Sequence, residues 1–203
     1  MKGFGETNKP KKKKVKTNNI SLSKTQLINQ AINFHLQGNI SEAFKLYDYC
    51  INKGLSDHRV FSNYGAILKD LGKFQEAEFY LRKAVELNPN IENYHYNLGL
   101  ILKDVGKLEE AEISTRKAIK IKSDDAEAHS NLGTILKDLG KLEEAEISIR
   151  KGIQLNPSSA EAHSNLGTIL KDLGKLEEAN NCYSKAISLK PDNTTFKMNR
   201  SKL

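Results

Sequence analysis

The chain has 203 residues, 38% of them apolar and 28% charged, with a formal net charge of +7. No apolar run approaches the ~18–20 residues of a membrane span, and two cysteines, Cys50 and Cys182, are too few for a disulfide framework, so a soluble protein of the reducing cytoplasm is expected. Residues 1–20 hold seven lysines against Glu6, a net of +6, which leaves only +1 for the rest and no broad nucleic-acid footprint there.

The first segment, residues 1–19, is a basic tail containing PKKKKVK. Like-charged lysines cannot bury a core, so disorder is expected. No apolar h-region follows the positive charge, which argues against a secretory signal. The run has the look of a nuclear import signal and also suits RNA, a ribosome or another anionic surface. At the opposite end, Ser201-Lys202-Leu203 matches a peroxisomal address. The two addresses contradict each other. The abundance of Lys, Asn and Ile suggests an AT-rich, commonly bacterial genome in which neither is read, leaving a basic arm and a fortuitous tripeptide.

Between these ends the stretch AEAHSNLGTILKDLGKLEEA stands at residues 126–145 and again at 160–179. Identity at a fixed interval of 34 residues is the mark of one packing unit stacked on copies of itself. Stepping by 34 sets the units at 24–57, 58–91, 92–125, 126–159 and 160–193, a five-unit array within residues 20–193. Residues 194–203 begin an incomplete sixth unit or form a capping helix.

Numbering each unit from one, Gly140 at position 15 splits the fourth unit into two helical patterns. In the first, positions 4, 7, 8, 11 and 14 (His129, Leu132, Gly133, Leu136, Leu139) share one side, and Glu127, Ser130, Asn131, Thr134, Lys137 and Asp138 lie opposite. The second helix is predicted over about Leu142 to Leu155, with Ala145, Ile149 and Ile153 inward. Asn88-Pro89, Asn156-Pro157 and Lys190-Pro191 are expected to end the second helices, because proline lacks the N–H and restricts its predecessor. Ser158 with Glu161 is the predicted capping box of the next helix. Such a pair buries only one side alone, so stacked copies predict an all-α solenoid of antiparallel helix pairs.

Leu132-Gly133, Gly140 and Ala145, with Leu166-Gly167, Gly174, Ala179, Ala186 and Pro191 one unit on, resemble the tetratricopeptide repeat. The resemblance implies a right-handed α-solenoid that acts as a non-enzymatic scaffold for protein or peptide partners. Departures are Gln30-Ala31 for Leu-Gly in the first unit, Ser123 for proline in the third and Gly152 for alanine in the fourth. The "AHSNLG" wording is similar to the repeats of the O-linked N-acetylglucosamine transferase family, where an asparagine ladder grips the main chain of bound polypeptide. That likeness makes Asn63, Asn97, Asn131 and Asn165, all at position 6, the candidate peptide-binding residues, with Asn29 and Asn199 in phase. The chaperone-binding members of the repeat family carry Lys at position 5 and Asn at 9. Here Ile28 and Ile32, or Ser62 and Ala66, stand there, which disfavours a chaperone carboxylate.

No catalytic constellation, cofactor motif or metal set is expected. His95, His129 and His163 recur at position 4, but equivalent positions on stacked helices lie roughly 10 Å apart, too far to share a zinc held at ~2.1 Å. They read as packing histidines, and Cys50 at position 27 reads as a small core residue. The favoured function is a scaffold binding extended polypeptide in the groove of the array. The alternatives are the substrate-recruiting part of a protein O-glycosylation system, with a separate glycosyltransferase partner, or nucleic-acid or ribosome binding through the tail.

Overall fold

A computed structural model of the protein describes residues 23–203, and the expectation of disorder over 1–19 lies outside them. Among the described residues every regular element is helical. Five pairs follow one another: α1 (Lys24–Leu36) with α2 (Ile40–Asn52), α3 (His58–Asp70) with α4 (Phe74–Leu87), α5 (Glu92–Asp104) with α6 (Leu108–Ile121), α7 (Ala126–Asp138) with α8 (Leu142–Leu155), and α9 (Ala160–Asp172) with α10 (Leu176–Leu189). A seven-residue α11 (Thr194–Arg200) closes the chain.

The turn inside each pair is a glycine device. Gly140 sits at φ +76°, a left-handed conformation that costs other L-residues about 1–2 kcal/mol. Its N–H reaches Lys137 O at 2.9 Å, and the Lys141 N–H reaches Leu136 O at 2.9 Å, so the last carbonyls of α7 are satisfied as the chain reverses. Between pairs, α4, α8 and α10 stop one residue before Asn88, Asn156 and Lys190 respectively. Helix α6 stops at the same place although Ser123 replaces the proline, with the Lys122 N–H bonded to Ala118 O at 2.9 Å. Proline reinforces this stop without being required for it.

The predicted capping box is displaced by one residue. Asn156 Oδ1 accepts from the Ser158 N–H at 3.2 Å and from its Oγ–H at 2.8 Å, so the turn consumes Ser158. Ser159 becomes the N-cap instead and accepts from the Ala162 N–H at 3.2 Å. A true capping box forms at Ser23 and Gln26.

The first helix of a pair packs on its own partner and on the second helix of the preceding pair. Its buried arc is therefore wider than the single side read from the sequence. Ala128 and Ile135 are buried in α7 together with Leu132, Gly133 and Leu136, and Ile67, Ile101 and Ile169 repeat the Ile135 position. In α8, Ala145 and Ile149 are fully buried and Ile153 partly so. Each fully buried leucine or isoleucine contributes roughly 1.5–3 kcal/mol of burial. At the C-terminal end Phe196 is buried against Ala160 and Ala186, and Arg200 Nε donates to Asn180 Oδ1 at 2.8 Å. Through these two residues α11 covers part of the last pair.

Helices touch only near neighbours in sequence. Successive first helices (α3 and α5, α5 and α7, α7 and α9) bring Cα atoms within 8 Å of each other, and successive second helices do not. The first helices therefore line the inside of the curve. Along the outside, Arg82 joins Glu78 of α4 (2.9 Å) to Glu110 of α6 (2.6 Å), and Lys107 returns to Glu78 at 2.6 Å. Arg116 and Lys141 repeat the arrangement between α6 and α8, as do Arg150 and Lys175 between α8 and α10.

Candidate functional site

The inner face is a polar groove across α5, α7 and α9. A cavity of about 390 Å³ is lined by Tyr96, Lys103, Glu127, Asn131, Glu161 and Asn165 among others. A smaller one of about 240 Å³ continues it between Lys103, Thr134 and Asn165. The N-terminal ends of the helices supply Glu127 and Glu161 as an acidic edge, and their C-terminal ends supply Lys103 and Lys137 as a basic one, Lys137 being paired with Asp138 at 3.0 Å. Tyr96 Oη donates to Glu127 Oε2 at 3.3 Å, and burial followed by the Glu127 charge pushes the phenol up to about 12. Lys190 reaches Glu161 Oε1 at 2.5 Å and holds that carboxyl below its ordinary value. Lys103 Nζ donates to Thr134 Oγ1 at 3.4 Å. Sequence reasoning missed Tyr96, Lys103 and Thr134 as groove residues, because position 5, 9 and 12 side chains read only as the side opposite the apolar stripe.

The four candidate asparagines fall on α3, α5, α7 and α9, and the groove brings two of them, Asn131 and Asn165, together. They are not equivalent. Asn63 Nδ2 donates to Tyr47 Oη at 3.0 Å, and Asn131, only 7% exposed, reaches Thr115 Oγ1 at 3.5 Å. Both partners stand sixteen residues earlier, at position 24 of the preceding unit. The same register places Leu81 for Asn97 and Ile149 for Asn165, neither of which can hydrogen-bond. Asn97 and Asn165 are half-buried and carry no side-chain hydrogen bond within the described residues. Asn63 and Asn131 thus each have a hydroxyl partner at position 24 of the preceding unit, the Asn131 contact being long and its side chain still lining the groove, whereas Asn97 and Asn165 have none; position 24 is the sequence signal for the difference.

The histidines at position 4 are bound to backbone. Nε2 of His95, His129 and His163 lies 2.8, 3.0 and 3.1 Å from the carbonyls of Pro89, Ser123 and Pro157. Each ring ties the start of its helix to the preceding loop. Cys50 is buried in the first pair, where burial raises its thiol, and Cys182 is half-buried and also raised, mainly by desolvation. No described helix is long and apolar enough to cross a membrane.

Family models described as the tetratricopeptide repeat match residues 58–91, 126–159 and 160–193 in the register of the helix pairs. A fourth of the same description matches 80–113, beginning inside α4. Curated proteins give no match. Among solved structures, YrrB, described as a TPR protein with an unusual peptide-binding site, superposes with a TM-score of 0.76 at 23% identity, over 89% of this chain and 93% of its own. MamA from Desulfovibrio magneticus superposes with a TM-score of 0.74 at 20% identity, over 84% of this chain and 96% of its own. A further MamA structure gives 0.71 at 20% identity, over 81% and 96%. These likenesses establish the solenoid architecture.

Proposed function

The chain belongs to the tetratricopeptide repeat family, and on that premise we propose that it is a scaffold that binds extended polypeptide along the groove of α5, α7 and α9. The observation that carries this reading is the polar groove itself, lined by the half-buried Asn165, which, like Asn97 on α5, carries no side-chain hydrogen bond among the described residues. An asparagine amide offers a carbonyl acceptor and an NH₂ donor, matching both groups of a peptide unit without regard to side-chain identity. The acidic and basic edges beside it supply electrostatic register for a ligand's charged side chains. YrrB, similar in fold and described as having an unusual peptide-binding site, supports peptide as the class of ligand to test.

Each net hydrogen bond contributes only about 0.5–1.5 kcal/mol, and ordering an extended ligand offsets part of the sum. Affinity is therefore expected on the order of micromolar, about −8 kcal/mol, with tolerance of sequence. The test is fluorescence anisotropy with a small set of labelled, unstructured peptides of differing sequence. Joint replacement Asn97→Ala and Asn165→Ala should weaken binding about tenfold or more while the helical melt stays in place. Unchanged binding in that variant, with the melt intact, rejects the groove amides as the binding residues.

A further inference from the structure

The outer face carries a second, differently built surface. Three notches recur at the repeat interval, with volumes of about 230, 430 and 540 Å³. Each has the same three walls. Position 28 of one unit supplies an aliphatic residue (Ile51, Val85, Ile119), and position 4 of the next supplies a ring (Phe61, His95, His129). Position 22 of that next unit supplies a large apolar side chain: Phe79 is 52% exposed, and Ile113 and Ile147 are each 70% exposed. Large apolar residues left this open, at one fixed register, make a stripe and not scattered surface residues.

The rim of the stripe has one sign. Lys83, Lys117 and Lys151 stand at position 26 beside the three notches, and Lys120 borders two of them. Among the described residues none of these four lysines has a carboxylate partner. Lys83 instead lies over the rings of Phe79 and Phe61, at 4.5 and 5.6 Å from their centroids. The one carboxylate lining a notch, Glu144, is already held by Arg116 at 2.7 Å.

We propose that this outer stripe is a docking surface for an acidic amphipathic helix of a partner protein, whose apolar side chains enter successive notches while its carboxylates meet the rim lysines. The notches lie between successive second helices, whose Cα atoms stay more than 8 Å apart, so neighbouring notches are on the order of 10 Å or somewhat more apart. Seven residues of α-helix rise about 10.5 Å, so apolar residues at heptad spacing match the row. The same charge argument rejects two other occupants. The basic tail of this chain has the wrong sign. A second copy docking the same face would oppose lysine to lysine, because a two-fold interface presents identical patches to each other.

The experiment uses a synthetic, fluorescein-labelled helix of about three heptads, with leucine every seventh residue and glutamate beside it, titrated with the full chain. Saturable binding that weakens with salt is expected. Ile113→Asp or Ile147→Asp should weaken it about tenfold, and the pair Lys117→Glu and Lys120→Glu should do the same by charge alone. Both isoleucines are largely exposed, so the circular dichroism melt should not move. The groove variant Asn97→Ala with Asn165→Ala should bind this helix normally, which separates the two faces. The proposal is overturned if the wild type does not bind the helix, or binds a lysine-for-glutamate version equally well. It is also overturned if sedimentation finds a dimer that Ile147→Asp returns to monomer.

Discussion

Asn63 reaches Tyr47 Oη at 3.0 Å, Asn131 reaches Thr115 Oγ1 only at 3.5 Å, and Asn97 and Asn165 have leucine and isoleucine at the same register. The shorter bond has the better geometry and lies in the more crowded aromatic surroundings of the first two pairs. Asn63→Ala is therefore expected to cost about 0.5–1.5 kcal/mol in urea denaturation, Asn131→Ala about half that, and Asn97→Ala no more than about 0.5 kcal/mol. Equal losses at these three sites would show that the column is structural throughout and would remove the basis for the groove reading. Gly167 makes a second case in which one atom decides. A Cβ there would stand 2.8 Å from Cε1 of Tyr183, whose ring is fully buried and has nowhere to move. Gly167→Ala should cost about 1–3 kcal/mol by overpacking, read as a fall in Tm with helicity retained. The asparagine column was visible from its period alone, but which members were free was not, because that depends on a residue in another helix.

At the scale of the helix, the start and stop signals carried most of the architecture, since proline, glycine and period 3.6 are local properties of the chain. What failed was what neighbours decide. Ile135 and Ala128 were missed because α7 is covered from two directions, and the cap slipped from Ser158 to Ser159 because Asn156 turned the chain first. The ion-pair ladder between α4, α6, α8 and α10 was equally hidden, although every participating residue is repeated. Burial acts to raise the Glu78 carboxyl, but hydrogen bonds from Lys107 and Arg82 outweigh it and hold it below its ordinary 4.5. Lys141, then Arg116, lower Glu112, and Lys175, then Arg150, lower Glu146. Carboxyls depressed in the folded state stabilise it above the unfolded value and lose that contribution as pH falls through the folded value. The melting temperature should therefore drop on acidification below about pH 4.5, and Glu112→Gln with Glu146→Gln should flatten that drop. The arginines are nearly half exposed, so each link contributes no more than about 1 kcal/mol, and the double variant at pH 7 should lose only a few degrees of Tm. An unchanged acid limb in the variant would show that other carboxylates govern the transition.

Over the whole molecule, near-neighbour packing means that a unit is specified by the surfaces it presents on either side, and two of these units present the same ones. Removing residues 126–159 joins Asp125 to Ala160, and α9 then meets α6 with the sequence that α7 had. Asn165 takes the place of Asn131 beside Thr115, Glu178 that of Glu144 beside Arg116, and Lys175 that of Lys141 beside Glu112. Asp125, which caps α7 through the Ala128 N–H at 2.9 Å, finds Ala162 in the same position. No new interface has to be invented, and α11 still covers the last pair. The shortened chain should fold with unchanged helicity per residue. Its urea m-value should be about one fifth lower, in proportion to the surface of one pair in five, and its stability lower by one unit and one interface. Groove binding should weaken, because the ligand loses contact with one first helix. Removing only 126–141, a first helix and its turn, provides the contrast. It sets two second helices in succession, exposes the apolar sides of both, and should give an aggregating chain. Circular dichroism and urea titration of the two deletions decide the matter: if the full-repeat deletion also loses its helicity, the array is held by contacts longer in range than neighbour to neighbour, and the solenoid account of its stability is wrong.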